Sequence, residues 1–394
     1  MFVAHLSDLH VSTFGDTFHD GLRVVRRTKK PAHWSEITHG VEWFEDDWRV
    51  ILSKEDGNLS LIDPDGYQHR APRLREASKF KTQGHADPLS RAIAKARQLK
   101  SRSAKYLAHN LPSADELDEL LAETPQNSNL RFLKAAGEVL KRAPDVVAIT
   151  GDLTDNGDGY ELIDAIFAKY RAEGKLLAVP GNHDLYLFPV LGSVRPAPTA
   201  RSKRERWEHF VRRLVGSTDH GLWFKRIDDV AFVGLNSCQR DQKTFYRHNG
   251  AIGDAQMEQL LEVANTNEWK YARQRIVMLH HHVVRLSASA HKKPMSEFGM
   301  RLDDSKDMVK VLGKIKATVV LHGHRHVSEE RVPSGCNFRI FAASSATLGC
   351  RSGDAPSFWW LDLGERASGE RHRVSFGAID YNLLSSIYGE LEEQ

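Results

Sequence analysis

The chain has 394 residues, of which 41% are hydrophobic and 27% charged, which is ordinary for a soluble globular protein. This length provides a full core and alone would allow two or three domains. The formal net charge is only +3, so the charge balance by itself gives no argument for a nucleic-acid or membrane partner.

The chain opens directly on a strand candidate, Phe2–Leu6, which is followed by Ser7-Asp8-Leu9-His10. No cleavable signal fits upstream of this strand, and no apolar run reaches the roughly 18 residues that a transmembrane helix needs. The three cysteines are too few and too scattered for a disulfide framework or a C-x-x-C metal site. The expected location is therefore cytoplasmic.

The stretch from about 11 to 127 lacks a regular alternation of strands and helices. Short apolar runs separated by Asp-Gly turns predict a β-hairpin, and helical patterns follow it. These elements are predicted at 48–52, 59–62, 88–109 and 113–123. A group of tryptophans in this stretch is more typical of a small core than of a base-stacking platform. We predict that residues 11–127 form an inserted lid or accessory subdomain.

From about residue 128, helices alternate with buried-looking strands, and strands dominate the end of the chain. Helices are predicted at 129–142, 159–172, 200–215, 254–265 and 303–315. Strands are predicted at 146–150, 176–179, 230–235, 275–280, 317–321, 328–333, 337–343, 357–363 and 371–377. This order predicts an α/β sandwich of two mixed sheets flanked by helices, formed by residues 1–10 and 128–394.

Metal-ligand residue types follow five of these strands. The segments are Asp8-Leu9-His10, Gly151-Asp152, Gly181-Asn182-His183-Asp184, His280-His281-His282 and Gly323-His324-Arg325-His326. In open α/β sheets, ligands gather beyond the carboxyl ends of the strands, so these segments are expected to converge. Carboxylates and imidazoles suit two adjacent divalent or trivalent cations such as Mn, Fe, Zn or Co.

These five motifs, in this order, resemble the signature of the calcineurin-like metallophosphoesterase superfamily, over roughly 1–10 and 128–345. The resemblance implies a four-layer α/β/β/α sandwich with a large insertion after the first strand. The spacing of the last two motifs is similar to that of the bacterial cyclic-nucleotide-phosphodiesterase-like branch and of lipid-precursor pyrophosphohydrolase-like members.

The resemblance also implies the metal ligands. Asp8, His10 and His326 would hold one metal, and Asp152 would bridge both. The second metal would be held by Asn182, His324 and one histidine of the 280–282 run. Val283 stands where the family has a proline, and aligning the run with that pattern makes His281 the ligand, with His280 as the first alternative.

The expected function is metal-dependent hydrolysis of an anionic phosphoester, with a small-molecule diester favoured over a monoester, by in-line attack of a metal-bridging hydroxide on phosphorus. By resemblance, His183 is the catalytic histidine and Asp155 orients it. A phosphomonoesterase or protein phosphatase, a nucleotide-sugar pyrophosphohydrolase and a non-enzymatic binding scaffold are the alternatives. The sequence carries no strong nucleic-acid signal.

A basic segment at 200–215 allows two interpretations. Trp207, Val211 and Leu214 recur at helical spacing, which favours a helix with a solvated charged face. The alternative is a cap that attracts an anionic substrate through residues such as Lys203 and Arg212.

Overall fold

The computed structural model describes most of the chain from residue 100 onward and parts of the first hundred residues. The described residues are 1–13, 15, 35–37, 40–45, 48–53, 59–62, 68–70, 98, 100–155, 157–186, 200–216, 218, 221–239, 249–286, 300–348 and 355–376.

The first sheet has five strands in the order β16-β15-β1-β7-β8. Their bounds are β1 Phe2–Leu6, β7 Val146–Thr150, β8 Leu176–Val179, β15 Ser357–Asp362 and β16 Ser368–Arg373. The strands β1, β7 and β8 run parallel, whereas β15 and β16 are antiparallel additions at one edge. Since β1, β7 and β8 are neighbours and parallel, their carboxyl ends lie at the same edge of the sheet.

The second sheet has six strands in the order β13-β14-β12-β11-β10-β9. Their bounds are β9 Trp223–Ile227, β10 Val230–Gly234, β11 Gln274–Met278, β12 Val319–His322, β13 Glu329–Arg331 and β14 Arg339–Ala342. Its four central strands are parallel and its two edge strands antiparallel, so this sheet is also mixed.

Helices cover the outer faces of both sheets. Those preceding the second sheet are α1 Ala104–His109, α2 Ala114–Glu123, α3 Ser128–Lys141, α4 Tyr160–Ile166, α5 Ala168–Ala172, α6 Asn182–Leu185 and α7 Ala200–Val215. Those packed on the second sheet are α8 Asp254–Val263, α9 Asn267–Lys270 and α10 Ser305–Lys314. Caps define several ends: Ser113 and Glu116 form a capping box at α2, and Asn127 caps α3.

Two apolar clusters hold the layers together. The larger one joins the first sheet and its helices to one face of the second sheet, and it includes Ile276 and Met278 of β11. The smaller one lies on the other face of the second sheet against α8 to α10, and it includes Val277. Successive β11 side chains therefore enter different clusters, as the two-residue period of a strand requires. The predicted α/β fold with two mixed sheets and flanking helices is confirmed.

The stretch between residues 11 and 127 contributes a third sheet of five antiparallel strands. The strands are β2 Ser35–Ile37, β3 Gly40–Glu45, β4 Trp48–Ser53, β5 Leu59–Ile62 and β6 Gln68–Arg70. Its central hairpin is the one predicted from the sequence. Leu107 of α1 and Leu117 of α2 belong to the larger apolar cluster, so these helices pack with the sandwich. The division of the chain at residue 128 stays a prediction.

Element bounds follow the sequence pattern in most places, with two clear differences in the helices. The helix expected at 88–109 is interrupted before Ser103, which caps the separate helix Ala104–His109, and residues 88–97 and 99 lie outside the described residues. The helix expected at 159–172 is two helices that meet at Phe167, whose φ of −100° and ψ of 23° depart from helical values. Phe167 is fully buried, so packing of its ring in the core fixes the break.

Within the part of the chain that the structure covers, none of the helices has the length and apolar character required to cross a bilayer. Cys238 and Cys336 are free thiols, and Cys350 lies outside the described residues.

Candidate metal centre

The ends of five parallel strands bring the predicted ligand segments to one place. Asp8 follows β1, Asp152 follows β7, and Asn182 opens α6 just after β8. His280 and His324 follow β11 and β12 of the second sheet. Because both sheets end at the same side of the sandwich, side chains that are hundreds of residues apart in sequence become neighbours.

Asp8, His10 and His326 form the first group, and their ligand atoms lie within 4.8 Å of one another. His326 Nε2 lies 3.2 Å from Asp8 Oδ1 and 3.3 Å from His10 Nε2. Asp8 and His10 are fully buried. The group is therefore a carboxylate and two imidazoles facing one point, a donor set suited to a transition-metal cation.

Asp152, His280 and His324 form the second group, within the same 4.8 Å limit. His280 Nε2 lies 3.3 Å from Asp152 Oδ2, 3.1 Å from His324 Nδ1 and 2.9 Å from Asn182 Oδ1. A carboxylate, two imidazoles and an amide oxygen thus surround a second point.

The two groups are joined by polar contacts. Asp8 Oδ2 accepts a hydrogen bond from the His324 backbone N–H at 3.1 Å. Burial would lower the pKa of both His10 and His280, but the hydrogen bond with Asp155 and the charge of Asp152 raise the pKa of His10, and Asp152 also raises that of His280. The arrangement is one continuous cluster, with Asp152 placed to interact with both halves.

A third group, His10, Asp155 and His183, lies beside the first. Asp155 Oδ1 is 3.2 Å from His10 Nδ1 and 3.1 Å from His183 Nδ1. Burial alone would raise the pKa of the Asp155 carboxyl, but the hydrogen bonds with these two histidines lower it. The Asp155 carboxylate thus contacts two imidazoles. One is that of His10, a member of the first group, and the other is that of His183 beside it.

The sequence-predicted His281 and its alternative His280 occupy different environments. His280 meets Asp152, Asn182 and His324, whereas His281 Nδ1 lies 2.8 Å from Ser237 Oγ. The reason is the strand period, since His280 continues the face of Met278 and His281 continues the opposite face.

The backbone at these positions is unusual. Five of the clustered residues have a positive φ, between 48° and 74°: Asp8, His10, Asp152, His324 and His326. Non-glycine residues rarely adopt this region, which costs of the order of 1 kcal/mol or more per residue. Such conformations persist where the surrounding structure fixes them, and they gather at functional sites.

The residues present fit a metal pair. The Nε2 atoms of His10 and His326 face each other at 3.3 Å beside the Asp8 carboxylate. His324 Nε2 is a buried atom that makes no hydrogen bond among the described residues. Burying carboxylates and imidazole lone pairs together is costly without a compensating cation, which two bound metals would supply.

Electrostatics within the protein already favours ionised carboxylates here. Burial would raise the pKa of Asp8, but His326 and His280 hold it below its usual value. Burial would likewise lower the pKa of His280, yet Asp152 raises it to about 9. The Asp152 carboxylate and the His280 imidazole therefore favour each other's charged forms.

Some residues for which the sequence predicts no role support the backbone of the site segments. Asp184 is buried and accepts hydrogen bonds from the N–H groups of Leu153, Thr154 and Gly181. An acidic residue in the first turn of a helix is a recognisable capping signal, so Asp184 could have been found from sequence.

A second support has no signal in the sequence. Ser345 Oγ donates to the Asp8 carbonyl at 2.6 Å, and Thr347 Oγ1 donates to the Leu9 carbonyl at 2.8 Å. Ser345 and Thr347 lie more than three hundred residues along the chain from Asp8 and Leu9, so only the tertiary structure identifies them.

Residues 110–328, more than half of the chain, match the family model of the calcineurin-like phosphoesterases. The chain belongs to the calcineurin-like phosphoesterase family. The predicted family is thereby confirmed, and the histidine and aspartate groups described above lie at the positions that gave the resemblance. No curated protein sequence matches the chain.

Several solved structures resemble the chain at low identity. Purple acid phosphatase PPD1 from yellow lupin (Lupinus luteus) is 14% identical with a TM-score of 0.45, over 63% of this chain and 48% of the lupin protein. TT1561 of Thermus thermophilus is 14% identical with a TM-score of 0.37, over 62% and 92% of the two chains. Phosphopantetheinyl hydrolase from Mycobacterium tuberculosis is 14% identical with a TM-score of 0.30, over 50% and 79%. The chain thus spans about half of the length of the lupin phosphatase.

Proposed function

We propose that the protein is a binuclear metal-dependent phosphoester hydrolase whose preferred substrates are small phosphodiesters. The observation that supports this most is the meeting of two buried carboxylate–imidazole groups, Asp8–His10–His326 and Asp152–His280–His324, at one edge of the sandwich. Membership of the calcineurin-like phosphoesterase family gives the reaction class.

In this proposal Asp8, His10 and His326 would hold the first metal. Asn182, His280 and His324 would hold the second, and the Asp152 carboxylate would serve both. When bound, such a pair supplies positive charge against phosphoryl oxygens and lowers the pKa of water to near neutrality. Here the geometry favours His280 over the expected His281, because the His280 ring meets three of the other proposed ligands.

His183 is proposed to act on the substrate. Its backbone N–H donates to Asp152 Oδ1 at 2.7 Å, and its Nδ1 lies 3.1 Å from Asp155 Oδ1. With Nδ1 turned to Asp155, Nε2 is the nitrogen that would meet a phosphoryl or leaving-group oxygen. The protonated ring can donate a proton to that oxygen or offset its charge.

The substrate class is tested with bis-p-nitrophenyl phosphate and p-nitrophenyl phosphate, each assayed on Mn²⁺-loaded protein. We expect kcat/KM to be higher for the diester. A higher value for the monoester would replace the diesterase proposal by a phosphomonoesterase, and hydrolysis of nucleoside diphosphate sugars alone would indicate a pyrophosphohydrolase. No turnover of any of these, together with less than one metal per chain, would indicate a binding scaffold.

Two variants separate metal binding from chemistry. Asp152→Ala removes the bridging carboxylate, so we expect loss of both metal and activity. His183→Ala should keep its metals but lower kcat by about 10²- to 10⁴-fold, the range typical of a lost general acid. Exposed His209 on α7 provides the control, since His209→Ala should leave both metal content and kcat unchanged. A fully active Asp152→Ala protein would refute the site.

A further inference from the structure

Lys203 is a buried lysine in the first turn of α7, a helix whose other charged residues are largely exposed. Only 2% of its surface is exposed. Removing an ammonium group from water is costly unless hydrogen bonds and opposite charge replace the solvent, so a buried lysine must have specific partners.

Two of those partners are backbone carbonyls of one short segment. Lys203 Nζ donates to the carbonyl oxygens of His183 and Tyr186, each at 2.8 Å. His183 belongs to α6, and Tyr186 is the C-cap residue that follows this helix. The last carbonyls of a helix have no partner within the helix, and a lysine at the C-terminal end satisfies them well.

The same segment is fixed at its other side by the proposed site. The His183 N–H donates to Asp152 Oδ1 at 2.7 Å, and the Asp184 carboxylate accepts from the Gly181 N–H at 2.9 Å. The backbone of His183 is therefore held at its N–H by a proposed metal ligand and at its carbonyl by Lys203.

The surroundings of Lys203 leave room for its stem and place negative charge near its ammonium group. Gly157, with a φ of 84°, lies beside the lysine stem, and a Cβ there would stand 2.9 Å from Lys203 Cγ. Burial lowers the pKa of Lys203 to about 8, while the carboxylates of Asp155 and Asp184 raise it. Tyr160 stacks on Phe210 of the same helix with ring centroids 4.9 Å apart, which anchors α7 in the core.

We propose that Lys203 is a positioning residue, which holds His183 in place by fixing the carbonyl end of the turn that carries it. This inference rests on the proposed function, because it assigns Lys203 to the same reaction through His183. It also revises the two interpretations of the basic segment: this lysine neither faces solvent nor reaches out to an anionic substrate.

The kinetic test compares Lys203→Met, which keeps the stem and removes the donors, with Arg212→Met, an equivalent change at an exposed position of the same helix. With Mn²⁺ and bis-p-nitrophenyl phosphate, we expect Lys203→Met to lower kcat by about tenfold or more with KM and metal content little changed, because misplacing a catalytic group mainly affects the transition state. Arg212→Met should behave as wild type. Lys203→Arg keeps donors and should be intermediate, and it carries the same test if Lys203→Met does not fold.

A double-mutant cycle distinguishes positioning from a general structural role. If Lys203 acts through His183, Lys203→Met should lower kcat by less than about twofold in the His183→Ala background. The same fold-loss in both backgrounds, or an unchanged kcat in Lys203→Met, would overturn the proposal.

A readout independent of activity separates this inference from the proposed function. In protein labelled with ¹⁵N-histidine, the His183 ring signals are identified by their loss in His183→Ala. These signals should shift in Lys203→Met and stay in place in Arg212→Met, and unshifted signals in Lys203→Met would contradict the inference. An inactive wild-type protein would refute the proposed function, and the NMR comparison would still decide the role of Lys203.

Discussion

At the scale of single residues, the neighbours His280 and His281 show how the two-residue period of a strand decides which side chain faces the proposed metals. Ile276 and Met278 enter the larger apolar cluster and Val277 the smaller one, so the alternation sends His280 toward the proposed metals. His281 instead turns to Ser237, whose Oγ lies 2.8 Å from its Nδ1. The proposed ligand is thus set by which face of β11 the side chain continues.

This difference gives a prediction. His280→Ala should lower bound metal from roughly two ions to roughly one per chain and abolish hydrolysis, because the second metal loses one of its proposed ligands. His281→Ala, the adjacent and equally buried control, should keep both metals. Metal content is measured by inductively coupled plasma mass spectrometry after Mn²⁺ loading and desalting. The reverse pattern would restore His281 as the ligand.

Backbone conformation is a second residue-scale feature. Asp8, His10 and Asp152 have φ values of 53°, 49° and 48°, a region that non-glycine residues seldom adopt, although Asp and His reach it more often than most. The hydrogen bonds from the loop at 345–347 to the carbonyls of Asp8 and Leu9 hold one of these segments in place. The strain at the site is therefore supported by contacts from a distant part of the chain.

At the scale of elements, glycines mark where a turn or a close approach is required. Gly151 has a φ of 91°, and a Cβ there would overlap the ring of His280. Gly137, in contrast, lies inside α3 with nothing within 4 Å of a Cβ placed on it. The first glycine is required by the site, whereas the second only weakens its helix.

The contrast is testable by unfolding. Gly137→Ala should raise the free energy of unfolding by about 0.5–1 kcal/mol, because alanine restricts the unfolded chain and favours the helix. Gly151→Ala should lower both stability and activity. Urea titrations followed by far-ultraviolet circular dichroism measure both variants against wild type. A destabilised Gly137→Ala would show that the helix is strained at this point.

At the scale of the whole molecule, the site lies where two sheets end. The first sheet contributes the segments after β1, β7 and β8, and the second sheet those after β11 and β12. The larger apolar cluster packs the two sheets together and so brings the first and second groups of candidate ligands into contact. Metals bound there would tie both sheets to each other and stabilise the folded state.

Metal removal should therefore lower global stability. A ligand that binds only the folded state stabilises it by about 2.7 kcal/mol when present at 100 times its Kd. We expect chelation to lower Tm by several degrees and Mn²⁺ to restore it, as measured by differential scanning calorimetry. Asp152→Ala serves as the control and should show little response to Mn²⁺. Identical Tm values for chelated and metal-loaded wild type would argue against the centre.

The sequence by itself was enough for the family, the α/β fold with two mixed sheets, and most element bounds, including the helix at 200–215. It was enough because apolar periodicity and motif order are local properties that a single chain displays directly. For the same reason the segments containing Asp8, Asp152, Asn182, His324 and His326 could be named, since each follows a strand.

Tertiary structure alone decided the remaining features. It turned His280 rather than His281 toward Asp152, buried Lys203 against the carbonyl of His183, and placed the loop at 345–347 against the backbone of Asp8. Each of these contacts joins residues far apart in sequence, and each depends on which face of a strand or helix meets its neighbour. Packing determines that choice, and no local pattern contains it.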